Sequence, residues 1–375
     1  MTTPPFAEAG AKESQRAGSR PGALVTRSLR PATWAAALGV FVVVVLALAP
    51  YLVYQSFTNT LVNLFILMTL ASMWNLLAGY AGMVSVGQQA FIGLGAYAVL
   101  MLAQHGMNPF VAIPIAGVVG AAFAIPASFL VFRLSGGYFA IATWVLAIVA
   151  GIVVTGIPSL GGGTGALLPG LSSLSPVLLG AETYWASLAV AVVSLAVVYG
   201  LLRSRLGLVL TAVRDNEVGA RSLGARVTTA KRTVYLASAF GCALAGALIA
   251  ISQLNVQAAN VFDVQWTAYM IFAVLIGGIG SIEGPIIGSI VFIVLQQTLA
   301  QYNAWYLIVV GAVAVVFAIW VRGGLWGLVT RRFPIRLFPV HYLLRTDPAE
   351  VERHGPMRFV LGAVRRLPEA EEPGA

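Results

Sequence analysis

Polar side chains inside otherwise apolar sequence are the first candidates for chemistry in this chain. Ser85, Gln88 and Gln89 lie in the glycine-rich block WNLLAGYAGMVSVGQQAFIGLGAY, and Thr143 lies in the later block GGYFAIATW. Because burying an unpaired polar group is unfavourable, these side chains are expected to face polar protein groups or a polar cavity. Two interpretations stay open: the four residues form hydrogen bonds between helices, or they line a path for a solute.

Residue types that usually support catalysis or metal binding form no constellation in the sequence. Cys242 is the single cysteine, and the three histidines, His105, His341 and His354, show no ligand spacing. Paired carboxylates are absent in and beside the apolar segments, and no P-loop motif (GxxxxGK followed by Ser or Thr) occurs. We therefore predict that this chain carries out no covalent chemistry and binds no metal and no cofactor.

The composition indicates a membrane protein. Hydrophobic residues make up 59% of the 375 residues and charged residues 9%, whereas about 25% of an average soluble domain is charged. Seven apolar runs of at least 20 residues lie at about 32–54, 57–79, 85–104, 109–132, 137–157, 183–202 and 233–253, and shorter runs lie at 267–281, 285–300 and 305–321. A helix of about 20 residues crosses a bilayer core of roughly 30 Å. We predict an all-α, polytopic membrane protein with eight to ten spans, in which 267–300 forms two spans or a re-entrant hairpin.

The basic residues determine the predicted orientation. With the N-terminus inside, all 22 Lys and Arg fall on the cytosolic side: five in the N-terminal tail, Arg133 after the fourth span, seven in 203–232 and nine in the C-terminal tail. The predicted outer loops contain Glu182 and Asp263 and no basic residue. This positive-inside pattern predicts a multi-pass protein with both termini in the cytosol. The net charge of +9 is thus a topology signal, and we predict no nucleic-acid partner.

Charge also divides the chain into parts. We predict a disordered cytosolic N-terminal tail at 1–30, a membrane domain at 31–325 and a cytosolic C-terminal tail at 326–375. Inside the membrane domain, 203–232 is the one long charged stretch between spans, and it is predicted to form a cytosolic loop.

Within this loop the sequence predicts a short helix. Asp215, Asn216 and Glu217 can begin a helix, because polar caps and carboxylates are favourable at a helix N-terminus. Gly224 can end it about eight residues later in the left-handed conformation. Such a helix between two spans could dock another protein, or the loop could be solvated, with charges that only enforce topology.

Small residues at four-residue spacing predict close helix packing. Ala237, Gly241 and Ala245 form such a ridge in the seventh apolar run. A similar glycine ridge in LIGGIGSIEGPIIGS contains Pro285, which predicts a break there. Glu283 lies in the same block; it is a cytosolic loop residue if 267–300 forms two spans, and lies at membrane depth if that segment is re-entrant.

Residues 60–325 resemble the inner-membrane permeases of branched-chain amino acid ABC importers, the LivM type. The resemblance rests on LLAGYAGMVSVGQQAFIGLGAY, GGYFAIATW, GGGTG, RLGLVLTAVRDNEVGARSLGARV, LIGGIGSIEGPIIGS and RGGLWGL, which occur in the order of the family. It implies that the loop that docks into the ATPase subunit contains Glu217, Gly219, Ala220, Arg221, Leu223 and Gly224. The family usually has an acidic residue six positions before the glycine, whereas this chain has Val218 there.

The resemblance implies transport by alternating access across the bacterial inner membrane. The implied partners are a second membrane permease, two ATP-binding cassette ATPase subunits, an extracytoplasmic solute-binding protein and membrane lipid. ATP and Mg²⁺ would be bound by the ATPase subunits. A permease for urea or short amides is the alternative within the family. An ion-coupled secondary transporter is less favoured, because its spans should contain ionisable groups, and a membrane enzyme would need a catalytic constellation.

The charge pattern makes a direct prediction about topology. Reporters fused after Arg133, Arg226 and Arg345 should be cytosolic, and a reporter placed within 160–178 should be external, because basic loops stay on the cytosolic side. Paired alkaline phosphatase and fluorescent-protein fusions measure both sides. A cytosolic signal from the 160–178 fusion would overturn the orientation.

Overall fold

The computed structural model describes residues 24–26, 30–171, 175–299, 305–321, 323–332 and 343–345. The predicted tails 1–30 and 326–375 lie largely outside the described residues. The disorder predicted for 1–30 therefore stays a prediction.

Helices account for most of the described chain. Their bounds are α1 (Arg30–Ala47), α2 (Ala49–Leu52), α3 (Gln55–Asn75), α4 (Gln89–Gln104), α5 (Pro109–Val131), α6 (Gly137–Thr155), α7 (Pro176–Arg203), α8 (Arg205–Asp215), α9 (Glu217–Ser222), α10 (Val227–Gln253), α11 (Ala258–Val261), α12 (Gln265–Gly277), α13 (Glu283–Leu299), α14 (Trp305–Trp320) and α15 (Gly324–Arg332). A π-helical turn, Leu76–Tyr80, extends α3, and a 3₁₀ turn, Pro158–Leu160, follows α6.

Short strands form two antiparallel pairs. Strand β1 (Leu24–Thr26) pairs with β4 (Leu343–Arg345). Strand β2 (Ala166–Leu167) pairs with β3 (Asn255–Val256). This pairing joins the segment after α6 to the end of α10. Strands of two or three residues carry no alternating pattern that could be recognised in the sequence.

Six helical segments in the described part of the chain are long and apolar enough to cross a membrane. They are Gln55–Tyr80, Pro109–Val131, Gly137–Thr155, Pro176–Arg203, Val227–Gln253 and Ala258–Gly277. The predicted all-α, polytopic class is therefore confirmed. The span count of eight to ten stays a prediction, since it also includes helices of 16 to 18 residues, namely α1, α4, α13 and α14.

The region 267–300 forms two separate helices, α12 and α13. Their connection, 278–282, lies beside the end of the α3 extension, because Gly280 N donates to Asn75 Oδ1 at 2.9 Å. It also lies beside α8, where Arg214 is a close neighbour of Gly280. This connection, α8 and α9 lie at the same end of the bundle, which we call the α9 end. The arrangement favours two spans over a re-entrant hairpin.

A break does occur in the LIGGIGSIEGPIIGS block, but it lies just before Pro285: residues 278–282 are not helical, and Gly280 has φ +77°. Pro285 lies in the first turn of α13, where a missing N–H removes no intrahelical hydrogen bond.

Gly284 and Gly288 lie in α13 and face α12, whereas Gly280 lies in the connection, so the predicted glycine ridge is helical only in part. A Cβ on Gly288 would meet the backbone of Ala273, and one on Gly277 would meet that of Gly284.

Helix α10 is the centre of the bundle and packs against α3, α4, α5 and α7. Its closest approach is to α4: a Cβ on Gly246 would collide with the backbone carbonyl of Ile92, and a Cβ on Gly95 with that of Ala243. The predicted ridge residue Gly241 faces the flexible side chain of Met73 in α3 instead.

The other two predicted ridge residues differ in burial. Ala245 is fully buried, whereas Ala237 is half-buried. The closest contact of α10 thus involves Gly246, one position past the predicted ridge. The angle between neighbouring helices, and not residue spacing alone, selects the contact point.

Two alanine substitutions in α10 should distinguish the rigid contact at Gly246 from the flexible contact at Gly241. Gly246→Ala should lower the free energy of unfolding by about 1–3 kcal/mol, as overpacking against rigid backbone does. Gly241→Ala should have the smaller effect, since Met73 can change rotamer. The measurement is thermal unfolding of the detergent-purified protein.

Gly200→Ala is the matched control, because Gly200 is helical and a Cβ there meets nothing within 4 Å. Equal unfolding midpoints for the Gly246 and Gly200 variants would contradict the close α4–α10 contact.

Candidate functional site

The charged stretch between α7 and α10 folds into two helices instead of one. Helix α8 ends at Asp215, and Asn216 caps α9 by accepting a hydrogen bond from Gly219 N at 2.9 Å. Helix α9 has six residues, two fewer than predicted. Gly224 has φ +80°, so the left-handed end predicted at this residue is confirmed.

Two contacts fasten α9 to α10. Ala220 is buried with Val213 of α8 and Val227 of α10 in a small apolar cluster. Glu217 Oε2 accepts a hydrogen bond from Lys231 Nζ at 2.6 Å. The Lys231 hydrogen bond lowers the pKa of the Glu217 carboxyl, against a smaller opposing effect of burial, so this carboxylate stays ionised at neutral pH.

The exposed side of α9 is partly apolar. Val218 is 75% exposed and Leu223, its C-cap residue, is 78% exposed. Arg221 lies beside them, exposed, with Nη2 3.0 Å from Glu217 Oε1. Apolar side chains presented on a charged loop are typical of a protein contact surface.

A cavity of about 400 Å³ opens beside α9. Its lining combines the charged residues Glu217, Arg221 and Lys231 with the segment before α6 and residues 82–84. The exposed face of α9 is therefore bordered by a recess, which adds to the shape of this surface.

Thr143 and Ser85 stabilise a break in the helical structure. After the α3 extension the chain is not helical from Gly82 to Gln88, and it passes from the exposed Gly82 and Val84 to the buried Gly87 and Gln88. Thr143 Oγ1 accepts from Val86 N at 3.2 Å, and Ser85 Oγ accepts from Gly87 N at 3.3 Å. The predicted run 85–104 is therefore shorter as a helix, because its first four residues are held by side-chain hydrogen bonds.

Gln88 and Gln89 connect this break to other helices. Ser238 and Cys242 of α10 each lie 3.4 Å from Gln88 Oε1. Thr267 of α12 donates to Gln89 Oε1 at 2.5 Å.

All four predicted path residues are at most 1% exposed: Ser85, Gln88, Gln89 and Thr143. The contacts are those expected for hydrogen bonds between helices, and the role of these residues in a solute path stays a prediction. Within the described residues, no group of three or more His, Cys, Asp or Glu side chains could hold a metal ion.

Sequence reasoning missed two features of this region. Lys231 is 14 residues from Glu217, so no local pattern joins them. Val218 looked like a departure from the family pattern, and only its exposure shows that it contributes to a surface. Helix periodicity within α9 could have indicated that Val218 and Ala220 lie on different sides.

The comparisons with known proteins agree with this architecture. The family model described as "Branched-chain amino acid transport system / permease component" matches residues 56–318. The chain is 28% identical over 282 residues to the high-affinity branched-chain amino acid transport system permease protein LivM of Salmonella typhimurium, covering 67% of this chain and 65% of that protein.

Two further relatives are similar. The LivM protein of Escherichia coli is 28% identical over 321 residues, which is 76% of this chain and 74% of that protein. A probable LivM permease of Methanocaldococcus jannaschii is 31% identical over 104 residues, which is 28% of this chain and 30% of that protein. Because the family model covers the bundle from α3 to α14, the chain belongs to the family of branched-chain amino acid transport system permease components.

Proposed function

We propose that this chain is a transmembrane permease subunit of an ATP-driven importer for branched-chain amino acids in the bacterial inner membrane. The observation that carries the proposal is α9 in a chain of this family. It is a short capped helix outside the spans, and its Val218 and Leu223 side chains are exposed on the protein surface. The α9 end is then the cytosolic end, and both termini are cytosolic.

Helix α9 is suited to transmit force into the bundle. Its inner side is fastened to α10 through Ala220 and the Glu217–Lys231 pair, and α10 contacts four other long helices. A displacement of α9 by an ATPase subunit would therefore reach the centre of the membrane domain. We propose that Glu217, Gly219, Ala220, Arg221, Leu223 and Gly224 form this docking element.

The solute path is proposed to run beside the helix break. Helix α4 begins inside the bundle at Gln89, and the positive end of a broken helix favours an anionic group such as a substrate carboxylate. Ser85, Gln88 and Thr143 lie near this point and are buried, so the proposal requires that a movement of the bundle uncovers them.

Further subunits complete the proposed importer. A second permease would complete the path, two ATPase subunits with ATP and Mg²⁺ would bind at the α9 end, and a solute-binding protein would deliver the amino acid at the opposite end. That opposite end carries β2 and β3, paired across the ends of two spans.

The function is tested with the assembled complex. The tagged chain is purified with its associated subunits, identified by mass spectrometry and reconstituted in vesicles. We expect ATP-dependent uptake of labelled leucine that excess isoleucine or valine reduces at least tenfold and urea does not. Competition by urea but not by valine, or uptake that needs no ATP, would contradict the proposal.

A second prediction concerns the end of α9. Gly224→Val forces a β-branched residue into φ +80°, which is strained by about 1–3 kcal/mol, although a Cβ there meets no atom within 4 Å. We expect normal membrane insertion, at least tenfold weaker ATPase association and loss of uptake. Gly224→Asn should retain most activity, because Asn tolerates this conformation.

Gly106→Val is the control for backbone strain. Gly106 has φ +85° and open space around its Cβ position, but lies at the opposite end, after α4. ATPase association should be unchanged in this variant. If Gly224→Val associates and transports like the wild type, the loop only determines topology.

A further inference from the structure

Arg214 lies among three glycines from distant parts of the chain. Its Nη1 donates to the carbonyl of Gly79 at 3.0 Å. A Cβ on Gly82 would lie 3.4 Å from Arg214 Cγ, and a Cβ on Gly280 would lie 3.5 Å from Nη1. The arginine therefore lies against the backbone of both segments, at a distance where a Cβ on Gly82 or Gly280 would make ordinary van der Waals contact with it.

The acceptor of this hydrogen bond is part of a helix end. Gly79 belongs to the π-helical turn that ends the α3 extension. Carbonyls at the end of a helix lack intrahelical donors and carry partial negative charge, so a guanidinium is a favourable partner. π-helical turns are also frequent at functional sites.

The same turn is tied to the α12–α13 connection. Asn75, which is 1% exposed, donates through Nδ2 to Ser281 O at 2.8 Å and accepts from Gly280 N at 2.9 Å. A Cβ on Gly79 would lie 2.7 Å from Gly280 N, so the two backbones are in direct contact. We call Asn75, Gly79, Arg214, Gly280 and Ser281 the Arg214 junction.

The position of Arg214 links this junction to α9. Arg214 lies in the last turn of α8, and the cap residue Asn216 alone separates α8 from α9. Ala220 of α9 also packs in one cluster with Val213, the neighbour of Arg214 in α8, so a displacement of α9 acts on the last turn of α8. The ion pair with the neighbouring Asp215, at 3.2 Å between side chains that are 39% and 68% exposed, contributes little to stability. The contact that joins Arg214 to another helix is its hydrogen bond to Gly79.

We infer that Arg214 is a positioning residue that transmits the displacement of α9 to α3 and to the α12–α13 pair. The inference rests on the proposed function, because it takes α9 as the element that the ATPase moves. Helix α9 then acts on the bundle by two routes: through Lys231 to α10, and through Arg214 to α3, α12 and α13.

The test uses the complete reconstituted complex and two substitutions of Arg214. Arg214→Gln should leave ATPase association and ATP hydrolysis within twofold of wild type. Leucine uptake per ATP hydrolysed should fall by about tenfold, as expected for loss of one hydrogen bond from a charged donor. Arg214→Lys should recover part of this ratio, since it keeps a cationic donor but loses the planar fork.

Arg205→Gln is the matched control. Arg205 begins the same helix and is exposed, so uptake per ATP should match the wild type. A change of the same size in this control would overturn the inference, because it would indicate a general effect of loop charge.

A second pair of variants disturbs the junction without changing Arg214. Gly280→Val places a β-branched side chain at φ +77°, in contact with Arg214 Nη1 and Gly79 O. This variant should lower leucine uptake per ATP hydrolysed, as Arg214→Gln should. Gly106→Val carries similar backbone strain in open space and should leave the ratio unchanged.

The outcomes separate the inference from the function on which it rests. A wild-type complex without ATP-dependent leucine uptake refutes the proposed function itself. With wild-type uptake established, an unchanged ratio in Arg214→Gln overturns the transmission role. Loss of ATPase association or assembly in Arg214→Gln also overturns it, because the arginine would then be structural.

Discussion

Close contact between α4 and α10 determines where most other elements lie. At Gly95 and Gly246 the two helices approach until a single Cβ would collide with the opposite backbone. Lipid provides no hydrophobic driving force between helices, so close packing of this kind must hold a bundle together. Because α10 also packs against α3, α5 and α7, one small-residue contact positions four neighbours at once.

Tight packing around α10 makes the buried polar residues necessary. The non-helical segment 82–88 leads from exposed residues at the α9 end to the buried Gly87 and Gln88, where unpaired backbone groups are strongly unfavourable. Thr143 and Ser85 accept hydrogen bonds from its N–H groups, and Gln88 and Gln89 join it to α10 and α12. The same side chains thus allow helix α4 to begin inside the bundle, which is the geometry that a path for a polar solute requires.

The α9 end follows from the same framework. Helix α9 is too short to be stable alone, and it is held by its Asn216 cap, by Ala220 and by the Glu217–Lys231 pair. These contacts hold the inner side of α9 against α8 and α10, and Val218 stays exposed on the outer side. A helix fastened in this way can pass a movement to the bundle instead of bending independently, and Arg214 extends the connection to α3.

Properties that depend on neighbouring residues could be predicted from the sequence alone. The apolar runs predicted where the long helices lie, with ends that differ by up to seven residues, and Gly224 marked the end of α9, because hydropathy and helix caps act locally. The partners of Glu217 and Arg214 could not be predicted, since the contacts join residues 14 and 135 positions apart. The tertiary structure also decided that Gly246, and not the ridge at Gly241, makes the closest contact of α10. Helix spacing identifies which residues share a face, but only the arrangement of neighbouring helices determines which of them meets rigid backbone.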